Sequence, residues 1–163
     1  MDVIKHLKEN VPGHGDSFYI EETNNMNVLG VCVKSENKIL INPTGIIEVA
    51  KEKGMSVKDF AVIIFFHEFG HYTDPDLNDI HEKQLKYSML INNHKFRNDW
   101  FKKYAFYTYK AEENAWNIAY TYMKDEAKQM IRQVMKDSLM ELKQTLKLQK
   151  ELLKLNHKAS LEF

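Results

Sequence analysis

The chain has 163 residues, with 23 Lys and Arg balanced by 23 Asp and Glu, and a single cysteine. That length suits one domain with a real core, spanning 1–163. Zero net charge gives no bulk reason to bind nucleic acid or a membrane, and one cysteine, Cys32, excludes an intrachain disulfide and fits a reducing compartment as a buried thiol. The amino-terminal stretch MDVIKHLKENVPGHG has no apolar core before a small-residue cleavage site. No segment approaches the roughly eighteen uncharged apolar residues of a membrane span. A soluble, cytoplasmic protein is expected.

In chain order, residues 2–9 suit a short helix that Pro12-Gly13 ends. Three strand candidates follow at 17–21, 28–33 and 38–41, joined by turn-like Asn24-Asn25 and Ser35-Glu36-Asn37. A helix over 45–53 takes Thr44 as its N-cap and Gly54 as the residue just past its end. Ser56 with Asp59 resembles a capping box for the next helix, which Pro75 stops. From Asn78 onward the chain reads as helical. Residues 100–109 are aromatic-dense, 111–128 read as a further helix, and Met135, Leu139, Leu142, Leu146 and Leu153 stripe a last one. Residues 159–163 read as a tail. The expected fold class is α+β. A small antiparallel or mixed sheet of about three strands packs on one central helix, and a mostly helical C-terminal half follows, ending in a Lys-rich extension over about 125–158.

The central helix is the informative stretch. In VKDFAVIIFFHEFGHY, residues 57–72, the positions from Phe60 to Phe66 are apolar on every side, which suits a buried helix. At its end stand His67, Glu68, Phe69, Gly70 and His71. Residues i and i+4 stack one turn apart, so His67 and His71 aim both imidazoles at one point, and Glu68 flanks it. Two imidazoles beside a carboxylate able to hold a water make most of a catalytic zinc site. Gly70, costly inside a helix, points to a close approach by something else.

A catalytic zinc keeps three protein ligands and an open position. The best third candidate is Glu112 in KAEENAWNIAY, which would share a helix face with Trp116 and Ala119, while small Ala115 and Ala119 allow close helix packing. Glu113 is the alternative, and Asp74, Asp76 and His81 are weaker ones.

This order of elements, with His67-Glu68-Phe69-Gly70-His71-Tyr72 followed by Glu112-x-x-Ala115-x-x-Ile118-Ala119, resembles the ImmA/IrrE family of gluzincin-like metallopeptidases. The resemblance covers about residues 19–122, with Ile118 standing where Phe is common. It implies a zincin-like domain in which His67, His71 and Glu112 hold one Zn²⁺ and Glu68 is the catalytic acid/base. It also implies regulatory cleavage of a narrow protein substrate such as a helix-turn-helix repressor. An edge strand ahead of the helix, 28–33 or 38–41, would align the substrate by main-chain pairing. Tyr104, Tyr107, Tyr109 and His94 are candidates for stabilising the oxyanion.

Two other functions compete. An SprT-like protease acting on DNA-associated proteins shares the HExxH pattern, but typically brings a third His. A non-enzymatic metal-binding module that docks a regulator would need no intact Glu68. In the C-terminal extension Lys124, Lys128, Arg132, Lys136, Lys143, Lys147, Lys150, Lys154 and Lys158 form a basic series. Interspersed Asp125, Glu126, Asp137, Glu141 and Glu151 favour an ordinary solvated face over a nucleic-acid contact. The residues imply no membrane partner, and they do not indicate an oligomeric state.

Overall fold

A computed structural model describes residues 2–15, 17–25, 28–91 and 97–159, with side chains described as far as 155. In order these form α1 (Val3–Asn10), β1 (Tyr19–Glu22), β2 (Gly30–Val33), β3 (Lys38–Ile41), α2 (Pro43–Glu52), α3 (Val57–Thr73), α4 (Leu77–Ile91), α5 (Arg97–Tyr122) and α6 (Lys128–Ala159). The architecture is α+β, mostly helical with one small mixed sheet. Backbone contacts group the chain into two compact units, Met1–Asp74 with Ala115–Ile131, and Pro75–Asn114 with Arg132–Phe163. Among the described residues no helix is long and apolar enough to cross a membrane.

The sheet order is β1-β3-β2. β2 and β3 are antiparallel neighbours, joined through a 3-10 turn at Lys34–Glu36 and Asn37 in the left-handed region at φ 52°. β1 pairs with β3 in parallel, Tyr19 opposite Lys38. The central strand is therefore the last in sequence. Its Ile39 and Ile41, with Ile20 of β1, are fully buried.

Helix ends follow side-chain chemistry. Asp2 caps α1 by accepting from the Lys5 amide. At α2 the cap is Asn42, not Thr44: Asn42 Oδ1 accepts from the Gly45 amide at 2.9 Å, and Pro43 occupies the first helical position. Asn42 wins because its amide also donates to the carbonyls of Asn25 and Val28, which fastens the preceding loop. Gly54 lies just beyond α2 at φ +63°, the conformation a helix-terminating glycine supplies. Ser56 precedes α3 without a side-chain capping bond, so the capping box does not form. α3 ends at Thr73, with Asp74 extended before Pro75.

α3 is the core of the first unit. Phe60, Ala61, Ile63, Ile64, Phe65 and Phe66 are all buried, and the helix packs against β2, β3, α1 and α2. α5 meets it at Gly70. A Cβ built on Gly70 would lie 2.2 Å from the Ala115 carbonyl oxygen and 2.9 Å from the Ala115 Cα, so the two backbones touch there. Glycine on one helix and alanine on the other make that crossing possible.

In the second unit, Leu77 and Ile80 of α4 bury with Ala111 of α5, and Tyr107 packs on them. α5 runs unbroken from Arg97 to Tyr122, where separate segments were expected, because no Gly or Pro interrupts it. It stops six residues before the expected end at 128, with Met123 turned into the core and a 3-10 turn at Asp125–Ala127 leading into α6. The tail at 160–163 lies outside the described residues.

Because a methyl at position 70 meets backbone and not a mobile side-chain end, Gly70→Ala should cost about 3 kcal/mol, the upper range for overpacking. The shift in the urea unfolding midpoint measures it. An unchanged midpoint would mean the helices do not touch at this point.

Candidate metal centre

On α3 the rings of His67 and His71 sit one turn apart, with centroids 4.8 Å from each other and planes at 77°. His67 is 8 % exposed and Glu68 7 %. Trp116 of α5 lies flat on the His67 ring, centroids 4.1 Å apart and planes at 29°. That stack removes the freedom of the imidazole to swing about its second torsion, so the ring arrives oriented.

Glu112 stands one turn before Trp116 on the same face of α5. One ligand atom from each of His67, His71 and Glu112 lies within 4.8 Å of the others. A tetrahedral ion with bonds of about 2.1 Å spaces its ligands about 3.4 Å apart, so small rotamer changes suffice to close the set. Two imidazole nitrogens and one carboxylate oxygen match the donor chemistry of a catalytic zinc site with an open position. The residues fit the ion.

The carboxyl group of Glu68 is held from the strand side. A Cβ on Gly30 would meet Glu68 Cγ at 2.7 Å and Oε1 at 3.1 Å, so β2 passes directly over this side chain and has no side chain of its own there. Cys32, two residues on, faces the same way. Its thiol is pushed from 9.0 up to about 11, first by burial and then by the negative charge of Glu68, against a smaller opposing pull from Lys34. Lys34, just past β2, donates to the Asp74 carbonyl at 3.1 Å. A cation on the C-terminal end of α3 suits the helix dipole and ties the strand to the helix.

Other candidates from the sequence lie elsewhere. Glu113 is exposed, and Asp74, Asp76 and His81 do not join the metal-binding group found among the described residues. Tyr107 packs in the Leu77–Ile80–Ala111 cluster and stacks on Tyr87, Tyr109 lies under Lys143, and Tyr104 lies against Phe101. His94 lies outside the described residues. Strand 38–41 is the central one, paired on both sides, which leaves β2 as the edge strand beside Glu68. Sequence reasoning missed the part played by Gly30. The available signal was a glycine inside an apolar strand, which marks a close approach.

No family model, curated protein or solved structure matches the chain.

The Cys32 environment has a pH consequence. The folded state keeps its thiol proton up to about 11 while an ordinary thiol loses it near 9.0, so folding binds an extra proton between those values. Stability of the metal-free protein should therefore fall as pH rises from about 9 to about 11, and Cys32→Ser should flatten that fall. Denaturant midpoints across this range check it. Equal slopes for the two proteins would contradict the placement of Cys32 beside Glu68.

Proposed function

We propose that the chain is a zinc-dependent metallopeptidase with a narrow protein substrate, of zincin-like fold and ImmA/IrrE type. One observation carries the reading: the donor atoms of His67, His71 and Glu112 gather within 4.8 Å, with a buried Glu68 beside them. A structural metal site would be closed by a fourth protein ligand. Here the group found has three members, and the next polar side chain is a carboxylate suited to handling protons.

His67, His71 and Glu112 would hold the ion. When bound, zinc supplies a Lewis acid that polarises the scissile carbonyl and makes an attacking water acidic near neutral pH. Glu68 accepts the proton of that water on its carboxylate. The water oxygen bonds to the carbonyl carbon, the carbon–nitrogen bond breaks, and Glu68 returns the proton to the departing amine. Burial of Glu68 between α3 and β2 limits its motion, so the proton is handed over without a search. Trp116 keeps His67 in its ligating orientation.

β2 supports the choice of an extended peptide as substrate. It is an outer strand of the described sheet, and it lies against Glu68 at Gly30. A peptide pairing along it would bring a main-chain carbonyl to the site in register, as strand addition does in peptide recognition generally. A helix-turn-helix repressor is the substrate that the family resemblance favours.

Glu68→Gln should keep one equivalent of zinc and lose at least about a hundredfold in cleavage, since general acid–base catalysis typically contributes about 10²–10⁴-fold. Gly30→Ala should also lower cleavage while zinc is retained, because its new methyl displaces the Glu68 side chain. The readout is new N-termini, by mass spectrometry, in a protein mixture incubated with the zinc-loaded chain. Equal cleavage by wild type and Glu68→Gln would end the peptidase reading.

A further inference from the structure

The zero net charge of the chain conceals a separation. Residues of the first unit, Met1–Asp74 with Ala115–Ile131, include 9 Lys and Arg against 13 Asp and Glu, a net of −4. Those of the second, Pro75–Asn114 with Arg132–Phe163, include 14 against 10, a net of +4. Asymmetry of this kind between parts of one chain points to a polyanionic partner for the basic part.

α6 focuses that charge. Along the chain its cations alternate with Asp137, Glu141 and Glu151, which suggests mutual neutralisation. On the helix they separate. At about 100° per residue, Arg132, Lys136, Lys143, Lys147, Lys150 and Lys154 fall within an arc of about 60°. Every residue between 132 and 154 that falls in that arc is a cation. The three acids lie outside it, about 40–120° beyond its nearer edge. The arc is solvent-facing: Arg132, Lys136, Lys143, Lys147 and Lys154 are exposed and Lys150 is half-buried. The buried Leu139 and Leu146 border the stripe on one flank, about 50–70° from its centre, and Ile131 and Val134 lie about 130–170° from it, so the cations line the exposed side of the packed face.

Two contacts bear on the strength of the stripe. Glu151, the acid nearest to it, is paired with Lys154 at 2.8 Å, an exposed contact that a stronger anion can replace. The Glu151 carboxyl is held below the usual range chiefly by the hydrogen bond from Lys154, with smaller help from the charges of Lys150 and Lys147. The Lys143 ammonium lies 4.7 Å over the Tyr109 ring, a cation–π contact of an exposed side chain for which a phosphate can compete.

We propose that this face of α6 binds the phosphate backbone of a nucleic-acid duplex without sequence preference. The stripe is straight and about 33 Å long, matching the line of charge that a duplex offers over about one helical turn. It includes no aromatic residue, so it reaches phosphates and has no platform for stacking unpaired bases. A membrane surface fits less well. The exposed Leu148, Leu152 and Leu155 lie about 110–170° round the helix from the centre of the stripe, so burying them would turn the lysines away from the headgroups. The inference is independent of the metal centre.

The test is fluorescence anisotropy of the full chain with a labelled duplex DNA of about 24 base pairs and arbitrary sequence. Six phosphate contacts predict an affinity that falls about 10³-fold between about 50 and about 200 mM salt. Replacing Lys143, Lys147, Lys150 and Lys154 together by Gln should weaken binding at least about tenfold at low salt and flatten that dependence. Replacing Lys5, Lys51 and Lys53 of the other unit by Gln should change neither. Thermal unfolding confirms that each variant is folded. Absence of duplex binding, equal loss in the two variants, tighter binding of a single strand, or binding to phosphatidylserine vesicles in its place would each overturn the proposal.

Discussion

The site depends on one backbone contact, where Gly70 of α3 meets Ala115 of α5 with no side chain between them. Helices whose contact is padded by larger side chains run 8–10 Å apart. Here the glycine removes that padding, and two consequences follow from the same crossing. Trp116 comes flat against His67, and Ala119 is buried. A helical glycine costs stability in isolation. At position 70 that cost is offset by a geometry that no other residue type allows.

α3 is also clamped from its other side. From Phe60 to Phe66 it is apolar on every side, and all of these residues but Val62 are buried. β2 closes over Glu68 at Gly30, and Lys34 fastens the end of that strand to the end of the helix. Two glycines, distant in sequence, thus do related work. One admits a second helix to the histidines, and the other admits a strand to the carboxylate. Rigid placement of a few groups by packed surroundings is what catalytic and metal sites require in general.

The parts legible in the sequence were those governed by local periodicity. A four-residue spacing put His67 and His71 on one helix face, and the all-round apolar run of 60–66 marked α3 as buried. Strand 38–41 ends where its pattern ends, at Asn42-Pro43. What escaped was set by partners distant in sequence. Asn42 displaced Thr44 as a cap because it could also hold the loop carbonyls of residues 25 and 28. β1 reached β3 in parallel, so the sheet order does not follow chain order. Cations and acids that alternate along α6 proved to lie on different faces, which only a continuous helix could reveal. The part played by Gly30, inside the apolar strand 28–33, escaped as well, because the side chain it makes room for, Glu68, is 38 positions away.

The central claim is that His67, His71 and Glu112 act as one ligand set. Zinc content by elemental analysis tests it most directly, on protein dialysed against a limiting chelator, for wild type beside His67→Ala, Glu112→Ala and Glu113→Ala. The account predicts one equivalent in wild type and in Glu113→Ala, with loss in His67→Ala and Glu112→Ala. No zinc in wild type even after titration, or full retention in Glu112→Ala, would contradict it.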